Sequence, residues 1–182
     1  MQAISEVTQS PADARTCPDV EHLYALHRDR VFHWALRYGA GDVAWAEDLM
    51  HDVFVTLVEQ LEAAAPKDPG AWLYRVTANL AVTRLRREKS LLGRLARLVR
   101  SGNDGRPPDE ELIQRAAANE VLKTLAALPG RERVALCMKV LDGRSQREIA
   151  RALSLSEGYV SKLVARAWQK VQAAGWEGAD EP

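Results

Sequence analysis

The sequence predicts an all-α fold of two small helical domains joined by a flexible linker. Three observations carry that reading. Apolar residues recur at threes and fours through most of the chain, no stretch alternates with the period of two that a strand needs, and one short segment concentrates Gly, Pro, Asn and acid. The 182 residues suit two domains of under about 100 residues each, a size at which a helical core is self-sufficient.

Residues 1–19 carry Ser, Thr, Pro and Asp without periodicity and read as a flexible leader. A helical stripe then runs through Leu23, Leu26, His27, Val31, Trp34, Ala35 and Tyr38 and stops at Gly39 to Gly41. Asp42 is placed to cap a second helix, whose stripe is Leu49, Met50, Val53, Phe54, Leu57, Val58 and Leu61. Asp68 caps a third helix with Pro69 in its first turn, where a missing N–H leaves no bond unmade. That helix carries Trp72, Leu73, Val76, Leu80, Ala81 and Leu85, and a weaker amphipathic stretch continues to Arg100. The first domain is therefore expected over 20–100, the linker over 101–111, the second domain over 112–174 and a tail over 175–182.

In the second domain, residues 112–128 read as a helix, Pro129 and Gly130 as a break, and residues 132–141 as a helix bearing Val134, Cys137, Met138 and Leu141, ended by Asp142 and Gly143. Ser145 and Glu148 form a capping box, so a helix starts at Gln146 and buries Ile149, Ala150 and Leu153. After a turn at Ser154 to Ser156, Ser156 caps a longer helix whose Val160, Val164, Ala167 and Val171 form its inner stripe. A short helix, a tight turn and a longer helix make a helix-turn-helix, in which the second helix enters the major groove. Tyr159, Ser161, Lys162 and Arg166 point outward from it, with chemistry suited to base edges and phosphates. The same pattern also fits an ordinary solvated face.

Charge is balanced in total, 25 Lys and Arg against 25 Asp and Glu, but not in position. Lys67 to Arg100 holds nine basic residues against Asp68 and Glu88, whereas Glu21 to Glu62 holds eight acids against Arg28, Arg30 and Arg37. One surface suits nucleic acid and another a basic protein. In the second helix Asp48, His51, Asp52 and Glu59 fall opposite the apolar stripe, a docking face or simply a solvated one. In the third, Asn79, Thr83, Arg86 and Arg87 share a face, an amide that can pair with a base beside guanidiniums that can hold phosphate.

Other classes fit poorly. Cys17 and Cys137 lie far apart and neither belongs to a CxxC pair, which argues against a disulfide framework or zinc knuckle and for a reducing cytoplasm. His22, His27 and His33 are spaced by five and six, so they do not share a helical face at ligand spacing. No apolar run approaches the ~20 residues of a membrane span, and the N-terminus lacks a signal-peptide core. No phosphate loop, paired acids or nucleophile with its base is assembled, so neither an enzyme nor a cofactor is expected.

The ordered motifs resemble the extracytoplasmic-function group of sigma-70 family RNA polymerase sigma factors. Ala46 through Phe54 is similar to that family's AEDLxQExF helix, and Trp72, Leu73, Asn79, Arg86 and Arg87 to its minus-ten-reading helix. Leu125 through Arg133 resembles its LxxLPxRER motif, followed by Glu148 to Ala150, Gly158 to Val160, and Arg166 with Ala167. His51, Thr83, Ser154 and Leu163 depart from the pattern, standing where Gln, Asp, Gly and a basic residue are common. The resemblance implies that Asp48, His51, Asp52 and Glu59 dock on core RNA polymerase, through its largest subunit's coiled coil, with the flap as a further contact. It implies that Asn79, Thr83, Arg86 and Arg87, with the loop 63–70, capture an unpaired base of the minus-ten element, and that Tyr159, Ser161, Lys162 and Arg166 read the minus-thirty-five element as duplex. It implies a separate anti-sigma factor as a further partner. Two rival readings are a regulator that binds duplex DNA without polymerase and an adaptor that docks on polymerase while its basic helices contact RNA.

Overall fold

The computed structural model describes residues 20–95 and 121–174, and every regular element among them is a helix. The expected leader 1–19, the stretch 96–100, the linker 101–111, residues 112–120 of the helix expected over 112–128, and the tail 175–182 lie outside the described residues.

The first unit is a three-helix bundle of α1 (Val20–Tyr38), α2 (Val43–Ala63) and α3 (Pro69–Leu95). Its caps form as the sequence predicts: the Asp42 carboxylate accepts the Trp45 N–H at 3.0 Å, and the Asp68 carboxylate accepts the Ala71 N–H at 2.9 Å. The core joins Val31, Ala35 and Tyr38 to Leu49, Val53 and Leu57 and to Leu73, Ala78 and Ala81, all completely buried. Each large apolar side chain removed from water there contributes roughly 1.5–3 kcal/mol before the entropy of ordering it is counted. Trp34 and Tyr74 meet edge to face at 4.8 Å, tying α1 to α3. Two members of the expected stripes are on the outside instead, Leu26 at 60% and Val58 at 40% exposure. At about 100° per residue each stands roughly a quarter turn from the centre of its stripe, beyond the reach of the neighbouring helix.

The second unit follows with α4, helical over residues 121–127, then α5 (Gly130–Val140), α6 (Gln146–Leu153) and α7 (Glu157–Gln172). The expected break falls at Leu128 and Pro129, and α5 begins at Gly130, two residues earlier than the sequence predicts. A Cβ on Gly130 would lie 2.9 Å from the Leu85 Cβ and 3.3 Å from the Val82 carbonyl oxygen, so glycine here lets α5 approach α3. Ser145 and Glu148 make the capping box in full, and Ser156 caps α7 by accepting the Tyr159 N–H. Between them Ser154 adopts the left-handed region at φ 54° and ψ 48°, and the Leu155 N–H closes the turn on the Ala150 carbonyl at 2.9 Å.

The two units pack against each other directly, α3 against α5 and α6, and α1 against α5. This is why every residue of α5 from Glu132 to Met138 is buried. One side of it faces α7 and another faces the bundle.

Candidate nucleic-acid interface

Asp48, His51, Asp52 and Glu59 are all exposed on α2, because the core takes Leu49, Val53 and Leu57 on the other side. The structure adds a residue that sequence reading passed over. Arg84 of α3 reaches Asp48 at 2.7 Å, Asp52 at 3.4 Å and, one turn along its own helix, Glu88 at 3.4 Å. Its guanidinium also lies 5.6 Å from the Trp45 ring, whose indole N–H donates to Glu88 at 2.8 Å. The four expected residues are thus divided. Asp48, His51 and Asp52 border one groove of about 420 Å³ with Arg84 and Arg87, and Glu59 stands outside it.

The expected α3 face divides as well. The Asn79 amide donates to the Arg75 carbonyl at 2.8 Å within its own helix and to the Ala152 carbonyl of α6 at 2.8 Å. The Thr83 hydroxyl donates to the Asn79 carbonyl at 3.0 Å. Asn79, Thr83 and Arg86 line a small cleft of about 100 Å³ closed from the other unit by Arg131, Leu153 and Leu155. Arg87 turns into the acidic groove instead.

On α7, Tyr159, Ser161, Lys162 and Arg166 are exposed, as the inner stripe of Val160, Val164, Ala167 and Val171 requires. Tyr159 and Arg166 border a basic groove of about 490 Å³ shared with Arg86, Lys89 and Arg131, whereas Ser161 faces a different groove beside Gln146 and Gln169. Leu163 is buried and lines the α3 side of the basic groove with Val82, which explains an apolar residue at that place. Backbone and side-chain hydrogen bonds from Ser145, with Arg144 beside it, hold the Glu148 carboxyl at about 2, while burial pushes the Cys137 thiol up to about 12. Among the described residues, no group of His, Cys, Asp and Glu is arranged to hold a metal, and no helix is long and apolar enough to cross a membrane.

Comparison with known proteins bears on both units. Sigma-70 region 2 matches residues 23–91, and sigma-70 region 4 matches residues 118–171. The ferric citrate uptake sigma factor FecI of Escherichia coli is 30% identical over 152 residues, covering 81% of this chain and 85% of that protein. The chain belongs to the extracytoplasmic-function subfamily of sigma-70 factors. This sigma factor is also 23% identical to the ECF RNA polymerase sigma factor SigW of Bacillus subtilis, covering 78% of this chain and 80% of SigW. It is 26% identical to SigE of Mycolicibacterium smegmatis over 91% of its own length, but spans 65% of SigE, and it spans 28% of a Rhizobium meliloti protein that is 32% identical over 119 residues. The sigma factor RpoE of Bartonella quintana, solved in complex with the anti-sigma factor NepR, shares the fold at a TM-score of 0.58 and 18% identity, over 85% of this chain and 94% of that one.

Proposed function

We propose that this sigma factor binds core RNA polymerase and directs promoter-specific initiation, reading a minus-thirty-five element as duplex and a minus-ten element as an opening strand. The observation that carries the reading is the presence of three chemically different faces on one chain. An acidic face on α2 suits a basic protein partner, an amide with arginines on α3 suits an unstacked base and its phosphates, and a capped recognition helix, α7, suits a major groove. Asp48, His51, Asp52 and Glu59 contact the largest-subunit coiled coil, and the second unit contacts the flap. Asn79, Thr83, Arg86 and Arg87 serve the minus-ten strand, and Tyr159, Ser161, Lys162 and Arg166 the minus-thirty-five duplex. Base capture by the protein offsets an unstacking cost of a few kcal/mol per step, so opening needs no nucleotide hydrolysis, no cofactor and no catalytic residue. The protein works in the cytoplasm, and a separate anti-sigma factor restrains it.

The test is multi-round transcription with purified core polymerase and a promoter library. Initiation at a defined subset of promoters is the expected result. Failure on every template, together with specific duplex binding by the protein alone, overturns the reading in favour of a polymerase-independent regulator.

A further inference from the structure

Asp142, just beyond α5, accepts from the Arg37 guanidinium of α1, from the Tyr74 hydroxyl of α3 at 2.9 Å and from the Tyr38 hydroxyl at 3.4 Å. Two residues further on, the Arg144 guanidinium lies over the Tyr74 ring at 4.7 Å. On α1 the Arg30 guanidinium lies 5.3 Å from the Trp34 ring, which itself meets Tyr74 edge to face. These contacts bring arginines of both units along one groove of about 500 Å³, lined by Arg30 and Arg75 from the first unit and by Arg144 and Arg151 from the second. Apart from Asp68 and Gly70 of the loop 63–70, no residue assigned above to polymerase or DNA lines it.

The cations of this groove are in excess. Among the described residues its lining holds two carboxylates, Asp68 and Glu148, and both already serve as helix caps. Asp68 accepts the Ala71 N–H at 2.9 Å, and Glu148 accepts from the Ser145 N–H at 2.9 Å and hydroxyl at 2.7 Å. Glu148 also pairs with Arg144 at 3.1 Å, yet the Arg144 Nε is buried with no acceptor among the described residues. Arg30, Arg75 and Arg151 are exposed, and none of them forms an ion pair among the described residues. A lone solvated arginine is ordinary, but four lining one concavity repel one another, and an anion between them relieves that repulsion. Guanidinium forks match phosphate oxygens in pairs, and two of these four are already ordered against aromatic rings, so they lose less freedom on binding. The lining carries two more cations than anions, which a single phosphodiester does not balance and adjacent phosphates do. Trp34 and Tyr74 are buried, at 8% and 7% exposure, so no ring face is open to a stacked base. The volume is that of a small-molecule site, about 300–1,000 Å³.

We propose that this groove binds a small anion carrying adjacent phosphates, a free diphosphate or the diphosphate of a nucleotide, held by Arg30 and Arg75 from one unit and by Arg144 and Arg151 from the other. A ligand bridging these arginines stabilises the arrangement of the units that creates its site. The site is independent of the residues proposed to read the promoter.

The test is isothermal titration calorimetry of the full chain with inorganic pyrophosphate, in low salt without divalent cations. Saturable binding at one site is expected, together with a higher midpoint of thermal unfolding. Arg75→Ala with Arg151→Ala should weaken binding at least about tenfold and leave the ligand-free midpoint unchanged, because neither side chain has an ion pair to lose. Arg147→Ala with Lys139→Ala removes the same charge outside the groove and should bind as wild type does. No saturable binding, or an affinity that Arg75→Ala with Arg151→Ala leaves unchanged, overturns the site. An equal loss in the two double variants also overturns it, since diffuse charge would then account for the binding. ADP separates the two sources: affinity equal to or below that of pyrophosphate marks a free diphosphate, and affinity at least about tenfold higher marks a nucleotide. A single-stranded oligonucleotide that binds through Arg75 and Arg151 and is not displaced by pyrophosphate would assign the groove to a nucleic-acid strand and overturn the proposal.

Discussion

Arg84 on α3 reaches Asp48 on α2 at 2.7 Å, 36 positions away in sequence, and places a cation inside the acidic surface proposed to dock on polymerase. The Asp48 side chain stays 68% exposed and that of Asp52 57%, so the arginine organises the carboxylates and leaves them available to a partner. Pairs this exposed contribute roughly 0–1 kcal/mol to stability. Their value lies in positioning.

Asp48→Arg combined with Asp52→Arg should weaken binding to core polymerase by at least about tenfold, with helix content unchanged, since reversal makes like charges meet where opposite ones met. Arg84→Ala should cost no more than about 1 kcal/mol of stability and should shift Trp45 fluorescence, because the indole no longer has a guanidinium over it. Surface plasmon resonance on immobilised core measures the first. Unchanged affinity would return the α2 face to an ordinary solvated surface.

The two surfaces proposed to read DNA should fail at different stages. Lys162→Ala with Arg166→Ala should weaken closed-complex formation and reduce its salt slope by about two units, one for each phosphate no longer neutralised by a cation. Asn79→Ala should leave early binding intact and reduce permanganate reactivity of unpaired thymines, with a pre-melted bubble restoring activity. Rescue of the double mutant by the bubble, and not of Asn79→Ala, would reverse the assignment of the two helices.

The capping box of α6 makes stability depend on acid. Hydrogen bonds from Ser145 hold the Glu148 carboxyl at about 2, below its ordinary 4.5, so its contribution is present above pH 4.5 and lost as pH falls toward 2. Glu148→Gln should flatten the pH dependence of thermal unfolding across that window. Ser145→Ala should cost about 1 kcal/mol at neutral pH, measured by urea denaturation. An unaltered acid limb in Glu148→Gln would mean that other carboxylates carry it.

Gly130→Ala sets two effects against each other. Alanine gains up to about 1 kcal/mol of helix propensity, but its Cβ meets the Leu85 Cβ at 2.9 Å, a clash that only movement of α5 away from α3 relieves. The expected outcome is a lower midpoint of thermal unfolding with helix content retained. An unchanged midpoint would show that α5 and α3 tolerate the methyl in place.

What the sequence by itself determined is local. The caps at Asp42, Asp68, Ser145 and Ser156, the inner stripes of α2 and α7, and the outward set on α7 all depend on neighbours three or four positions apart, and those spacings are written in the chain. Family motifs, read in order, added what spacing alone left open between a reading helix and a solvated one. Only the tertiary structure decided which groups meet across units. Asp142 reads as a helix stop, yet its partners Tyr74 and Arg37 lie 68 and 105 positions away, and Asn79 finds Ala152 over a separation of 73. Gly130 reads as a breaker because chain-local rules cannot register Leu85 beside it. Contacts of that kind follow no period: they arise from how two amphipathic units bury their remaining surfaces, and a carboxylate looks the same in sequence whether water or three donors satisfy it.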